Sequence, residues 1–441
     1  MRRSMVNVGL VFLFTLAMAL AGAVSAFAAT DKLVVAIKPW GGSLGGIIEA
    51  LVERFAEAHP EIDVQTVILK DHYGDDLKVM VLGGAAPDVA IVTYSTEMEL
   101  LQPLNRYLEQ SAAVQEMMAG TGPSSEIFKA ALELFTVDGA TYFLPSLHYY
   151  PVEGLTLNAS LFEENGIEVF PEDRAVTFDE FADAHKKLTR TDSQGNVIQL
   201  GYPVWDPIDA MRADIVGIMF DIDVVDPATG LPNWMRLLDP LATAYQALVE
   251  PWGYAAVSAL RTDFRGGFAG RRWAIHEGNA SLAKLAREFG LTADRLQATF
   301  LPSQGGTMRA FLAGHHWGLV RGAQNIENAM KFLDWTLKDI EWQRMSFLDQ
   351  GLIGPPGYDY VQDWIPADME PAVAWFYTSL RYATLHKPMT NPWNAFMIND
   401  QWRAANGMGI QYLRGEAPIE SLLEEAQRVL EAKIREDLSR G

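Results

Sequence analysis

The sequence predicts an α/β protein of more than one domain, on three observations. Between Leu33 and Thr93, apolar runs of strand length alternate with stretches of helical periodicity. A chain of 441 residues suggests two or three domains by length alone. The stretch from Tyr142 to Leu157 reads as an extended segment long enough to leave one domain and enter another. Pro151 is a stiff point in it and Gly154 a permissive one.

Taken in order, the chain starts with a secretory leader pattern. Arg2 and Arg3 precede a mostly apolar stretch, Val6 to Ala23, and Ala26-Phe27-Ala28 supplies a small-x-small cleavage site. Residues 1–28 are expected to be a signal peptide; the polar Thr30-Asp31-Lys32 just beyond argues against a retained anchor. With no cysteine, neither a disulfide nor a lipid-modified N-terminal cysteine is available, so a freely soluble periplasmic protein is expected. Hydrophobic residues make up 49% and charged residues 21%, the balance of a globular protein with an ample core. The net charge of −21 argues against nucleic acid or an anionic membrane surface as a partner, and says little about a neutral ligand.

Leu33 to Ile37 is an apolar run of the kind buried on both faces. The helix after it places Ile48, Leu51, Val52, Phe55 and Ala56 on one face and stops at His59-Pro60. Ile62 to Leu69 is the second strand, a helix follows around Asp76 to Leu82, and Val89 to Thr93 is the third strand. Parallel strands joined by helical crossovers bind ligands beyond their carboxyl ends. That rule selects Lys38-Pro39-Trp40-Gly41, Lys70-Asp71-His72-Tyr73 and Tyr94-Ser95-Thr96-Glu97, each an aromatic with hydrogen-bonding neighbours. The glycine run Gly41 to Gly46 lacks both the spacing and the Lys-Ser/Thr ending of a phosphate cradle. Asp88, just ahead of the third strand, reads as a capping or turn residue.

Farther on, Thr177-Phe178-Asp179-Glu180 is a capping box, and Phe178, Phe181, Ala182, His185 and Leu188 share a helix face. His185 is therefore expected to be a partly buried face residue. A turn through Asp192 to Asn196 leads into a strand ending Leu200-Gly201-Tyr202-Pro203, and Trp205-Asp206 follows. Asp221, Asp223 and Asp226 lack the glycine and terminal glutamate of a calcium loop and read as solvated acids. His315-His316 lies in a strand-like stretch, where adjacent side chains point apart, which disfavours a metal pair. Ile326, Ala329, Met330, Leu333, Leu337 and Ile340 recur at helical spacing, and an amphipathic helix runs from Ile419 to Leu438.

Several motifs in sequence order then point one way. They are Leu155-x-x-Asn158-x-x-Leu161-Phe162-x-x-x-Gly166-Ile167, Pro87-Asp88-Val89, Gly278-x-Ala280-x-Leu282, Gly314 with the strand and helix after it, and Asn391-Pro392-Trp393-Asn394. From roughly Leu33 to Leu438 the chain resembles the family 1 extracellular solute-binding proteins of ABC importers, the maltose-binding-protein-like group. The resemblance implies the two-lobe type II periplasmic-binding-protein fold, each lobe a mostly parallel sheet flanked by helices, joined by three crossover segments. It implies an N-terminal lobe of residues 29–152 and 313–352, and a C-terminal lobe of residues 153–312 and 353–441. It further implies a monomer that closes on a sugar, oligosaccharide or polyol and delivers it to the permease's membrane subunits, with no cofactor, metal or catalysis.

The expected ligand contacts follow from the loops and the resemblance together. Lys38, Trp40, Tyr73, Tyr94, Ser95, Tyr150, His316 and Trp317 lie in or next to the selected loops and strand ends, and the resemblance adds Glu153, Trp205, Asp206, Lys284 and Trp393. Sugar rings have apolar C–H faces and many hydroxyls, so aromatic platforms beside planar polar groups suit them. Trp335, Trp342 and Trp375 fall within helical patterns and read as core. A phosphorylated polyol would call on Lys38, Lys70 and Lys284. Two other functions compete: a secreted carbohydrate-active enzyme, and a subunit presenting ligand to a sensor receptor. Against the enzyme, no motif singles out a carboxylate pair, and His-Glu-x-x-His and a thiol nucleophile are absent.

If Trp205 lies under a sugar ring while Asp206 accepts from its hydroxyls, Trp205→Ala should weaken binding by roughly 1–3 kcal/mol and leave the melting temperature unchanged. A lowered melting temperature with intact affinity would instead make the ring a packing residue. Titration calorimetry and thermal melting on this one variant decide it.

Overall fold

The computed structural model describes residues 31–38, 43–69, 73–92, 99–134, 136–137, 139–150, 154–203, 213–222, 233–260, 265–278, 280, 283, 286, 289–292, 295–311, 313–379, 384–386, 411–412 and 414–440. The chain divides into two compact units, residues 1–90 with 320–332 and residues 91–319 with 333–441.

In the first unit, β1 (Lys32–Ile37) lies between two parallel partners, β2 (Asp63–Ile68) and β3 (Val89–Val92), the last running across the boundary of the units. Leu33, Val35, Ala36 and Ile37 are buried, as an all-apolar central strand requires. β2 pairs with β1 alone among the described strands and keeps Gln65, Thr66 and Ile68 exposed. The connecting helix Ser43–Ala58 buries Ile48, Leu51, Val52 and Phe55, the face expected from the sequence, and Phe55 meets Phe332 edge-on at 5.1 Å. The second crossover is the helix Tyr73–Leu82, three residues longer at its start than its periodicity suggests.

One carboxylate ties this unit together. Asp88 is 1% exposed and accepts hydrogen bonds from the backbone N–H of Val34 (2.8 Å), Gln324 (3.0 Å) and Asn325 (2.8 Å), and from the Asn325 side-chain amide (3.0 Å). Its own backbone N–H donates to Val34 and its carbonyl accepts from Val320. The capping role read from sequence is thus exercised on the helix Ile326–Lys338, more than two hundred residues later in the chain.

In the second unit, β4 (Phe143–Tyr150) runs next, followed by β5 (Gly154–Asn158), all five residues of which are buried. β6 (Ile275–Gly278) and β7 (Leu296–Phe300) flank β5, both antiparallel to it. β8 (Ala313–Leu319) pairs antiparallel with β4, its register shifting between His315 and Trp317. The β6-β5-β7 sheet differs from the mostly parallel sheet expected for each lobe; the parallel pairings described in this unit are the isolated bridge Leu200–Trp273 and the short pair Arg309–Phe311 with Thr384–His386. More than a hundred residues separate β5 from β6, so no single helical crossover constrains the two strands to run the same way.

Several helices belong to this unit. Phe178–Leu188 starts with the predicted capping box, Thr177 and Glu180 each bonding the other's backbone N–H. Arg174 also holds the Glu180 carboxylate, and with these bonds lowers its pKa to about 2. His185 in this helix is wholly buried rather than partly, and its Nδ1 accepts from the Tyr202 N–H at 2.9 Å. A Cβ on Gly201 would stand 2.4 Å from the His185 carbonyl oxygen, so this contact requires glycine. The C-terminal helix Ile419–Arg440 rests on the turn Trp234–Leu237, with Gln427 accepting from the Trp234 N–H.

Asp88→Ala would leave buried backbone donors without acceptors and should cost roughly 3 kcal/mol or more, with Asp88→Asn losing less. Urea denaturation of the three proteins checks this; an alanine variant as stable as the parent would remove the clasp from the account.

Candidate functional site

Parallel β1, β2 and β3 place their following loops at one end of the first unit. Lys38 follows β1 directly and is half-buried. Tyr73 opens its helix with its ring buried and its hydroxyl donating to the Ala36 carbonyl at 3.4 Å. That bond seats the start of the helix against the last residues of β1, so Lys38 and Tyr73 share this end. Trp40, Tyr94 and Ser95 belong to the loops of the same strand ends and lie outside the described residues.

The second unit has a corresponding end. Gly154, at the start of β5, pairs with Gly278 at the end of β6 and with Phe300 at the end of β7. The stretch Leu200–Pro203 joins β6 in the same direction: Ala274 donates to Leu200, Ile275 donates to Gly201 at 2.8 Å, and the Tyr202 hydroxyl donates to Glu277 at 3.4 Å. The chain therefore leaves for Glu153, for Trp205-Asp206 and for Lys284 from one end of this sheet, although those four residues lie outside the described set. Beyond β7, the Asp221 carboxylate accepts from Ser303 Oγ at 2.9 and 3.0 Å and from the Gly305 N–H, stiffening the neighbouring loop. Asp221 is thus a fastener of that loop rather than a solvated acid. No cluster able to hold a metal occurs among the described residues.

Under this end the sheet is aromatic. His276 is wholly buried, stacked on Trp273 (5.8 Å, 24°) and edge-on to Phe268. Burial lowers its pKa to about 3 and that of His185 to about 4, against the ordinary 6.5. Sequence periodicity does not single out this cluster, because its members are spread over short strands and turns.

The remaining expected contacts lie elsewhere. His316 and Trp317 are in β8 with 2% and 0% exposure, and His316 is 5.9 Å from the Phe143 ring. Tyr150 ends β4, while Trp393 falls outside the described residues. Trp342 and Trp375 are core, as read, and Trp335 is half-buried. Gly41 to Gly45 spells Gly-x-Ser-x-Gly, but β1 ends at Ile37 and the helix begins at Ser43, so this serine does not directly follow its strand as the serine of a nucleophile elbow does.

Comparison with known proteins gives a consistent picture. Residues 41–339 match the family described as bacterial extracellular solute-binding protein. No curated protein matches the sequence. Among solved structures, CpMnBP1 with mannobiose bound superimposes with a TM-score of 0.69 at 17% identity, covering 91% of this chain and 100% of that one. An ABC substrate-binding protein from Listeria monocytogenes in complex with cycloalternan gives 0.67 at 16% identity, covering 91% and 98%. Maltose-bound MalE3 of T. maritima gives 0.64 at 17% identity, covering 91% and 99%. At such identities the likeness is one of fold, and the fold is that of the type II periplasmic binding proteins.

The buried histidines make stability depend on pH. Their folded pKa values lie below the unfolded one, so the unfolded chain takes up protons that the native state refuses. Stability should be full above about pH 6.5 and fall as pH drops below it, each histidine contributing up to roughly 1.4 kcal/mol per pH unit. The carboxylate Glu180, whose pKa is lowered from 4.5, acts only below that value, which leaves pH 6.5 to 4.5 to the histidines. Urea melts at several pH values should show this slope; a flat profile across the window would mean that water or counter-charge reaches the rings.

Proposed function

Since the chain belongs to the bacterial extracellular solute-binding protein family, we propose that it captures a carbohydrate (a sugar, oligosaccharide or polyol) and delivers it to the membrane subunits of an ABC permease. The observation that carries this reading is the pair of strand ends, each the origin of loops rich in aromatic and hydrogen-bonding residues. Trp40, Tyr94, Trp205 and Trp393 are assigned to stack on sugar faces, and Lys38, Ser95, Glu153, Asp206 and Lys284 to bond hydroxyls. Tyr73, Tyr150, His316 and Trp317 belong to the same proposal through the elements that carry them. The burial of Tyr73 at the end of β1 suits positioning from beneath, and His316 and Trp317, buried within β8, would act through the strand that holds them. In this reading each of two lobes, residues 29–152 with 313–352 and residues 153–312 with 353–441, supplies half of the contacts. Ligand then gains its full contacts only when the lobes close, and it shifts the open–closed equilibrium by that difference in affinity. The closed form is what the permease receives.

The family is one of extracellular binding proteins, and no helix among the described residues is long and apolar enough to cross a membrane. A monomer exported through a cleaved leader into the periplasm completes the proposal.

A thermal-shift screen over mono-, di- and oligosaccharides and polyols tests it. Ligand at a hundred times its dissociation constant should stabilise the native state by about 2.7 kcal/mol, a rise of several degrees. A melting temperature unmoved by every member of the panel at millimolar concentration would overturn the carbohydrate reading.

A further inference from the structure

The geometry points to a second carbohydrate site on the outside of the second unit, an open aromatic platform formed by Tyr360 and Trp364 that takes a neutral polysaccharide chain. The two rings are nearly parallel, 14° apart, with centroids at 6.0 Å. That separation is too long for one ring to lie squarely on the other, so they are offset and present a stepped face. Tyr360 is 45% exposed and Trp364 is half-buried beside it.

The platform is backed by fixed structure. Phe347, 1% exposed, packs against Trp364 at 6.1 Å and is itself held edge-on by Tyr377 at 4.8 Å. A Cβ on Gly357 would come within 3.1 Å of the Trp364 ring, so the backbone presses directly on the indole. The short helix Val361–Trp364 is pinned by buried Val361 and by the Tyr360 N–H donating to Gly357 at 3.0 Å. Rigid rings lose little freedom when a ligand lies on them. Between the two aromatics in sequence, Asp363 is exposed and makes no described side-chain bond, so its carboxylate is available to hydroxyl donors.

Chemistry chooses the ligand class. An open face with an acceptor at its edge suits a ring that is apolar on its face and hydroxylated on its rim. A chain of such rings suits a surface better than a single sugar, which would bury too little there to be held. The net charge of −21 disfavours acidic polymers relative to neutral ones. This inference goes beyond the proposed transport function: such a platform would hold the protein near a polymer from which short ligands are released.

Native electrophoresis of the full chain in gels containing soluble starch or soluble β-mannan tests it. The parent protein should be retarded by at least one polymer. Tyr360→Ala should lose at least fivefold of the retardation, and Tyr360→Phe, which keeps the ring, should retain it. The melting temperatures should agree, because Tyr360 is exposed; Trp364 is left intact, since its removal would empty a packed space. Absence of retardation for the parent, or equal retardation of parent and Tyr360→Ala, would overturn the platform, as would equal loss in Tyr360→Phe. The outcome is separate from that of the transport reading. Short sugars that fail to raise the melting temperature, with polymer retardation still dependent on Tyr360, would leave the platform standing and remove the other.

Discussion

The first unit depends on a buried carboxylate that gathers strands from distant parts of the chain. Asp88 brings together β1, the approach to β3 and the segment at 320–325, and so joins residues separated by 54 and by more than 230 positions. Four donors around a single carboxylate make strong, charge-assisted bonds. They also settle where the returning chain must lie, because the N–H groups of Gln324 and Asn325 have no strand partner to turn to. A hydrophobic residue of similar size would pack there and leave those donors unmet, a loss that packing does not recover. Phe55 against Phe332 then adds apolar contact to a geometry already determined by polar bonds.

The second unit solves the same problem of holding loops in place with smaller fasteners. Gly201 lets the strand leading to Pro203 press against the His185 backbone, and the His185 ring accepts from the next residue's N–H. Tyr202 reaches Glu277, and Asp221 reaches Ser303 and Gly305. Each fastener sits one or a few residues before the chain departs into a loop. Loops vary in sequence while the scaffold beneath them stays rigid, so binding residues are placed by the strand ends rather than by their own packing. His185 is wholly buried there, and burial holds its ring neutral by lowering its pKa to about 4.

Patterns that depend only on local sequence were legible. The face of the helix Ser43–Ala58, the capping box at Thr177 and the parallel order of β1 to β3 all follow from period, cap and crossover rules. Depth of burial was less so: a helical wheel places His185 on the inward face but says nothing of how much lies over it. His315 and His316 are both buried in β8, whose register shifts at that point; alternation along a strand tells which face each takes but not how deeply that face is covered. Aromatics next to strand ends are ambiguous for a related reason. Tyr73 and Trp317 adjoin such ends and turn inward, because a ring beside a strand end buries as much area in the core as under a ligand. The direction of β6 and β7 was illegible, since it depends on pairings made across more than a hundred residues.

The charge of the molecule bears on the same question of ligand class. Most described ion pairs are exposed, such as Arg174 with Glu180, Lys187 with Asp183 and Arg428 with Glu425, and they are screened and worth little individually. The excess of carboxylates therefore acts mainly as a diffuse negative field of a chain carrying −21. An anionic ligand approaching either strand end would have to overcome that field before meeting a lysine in a loop. A neutral polyhydroxy ligand feels almost none of it, and its affinity rests on aromatic faces and fixed acceptors, which act only at contact. The acidic surface and the proposed carbohydrate ligand are thus compatible: the field repels anions and leaves a neutral solute to be held by contact alone.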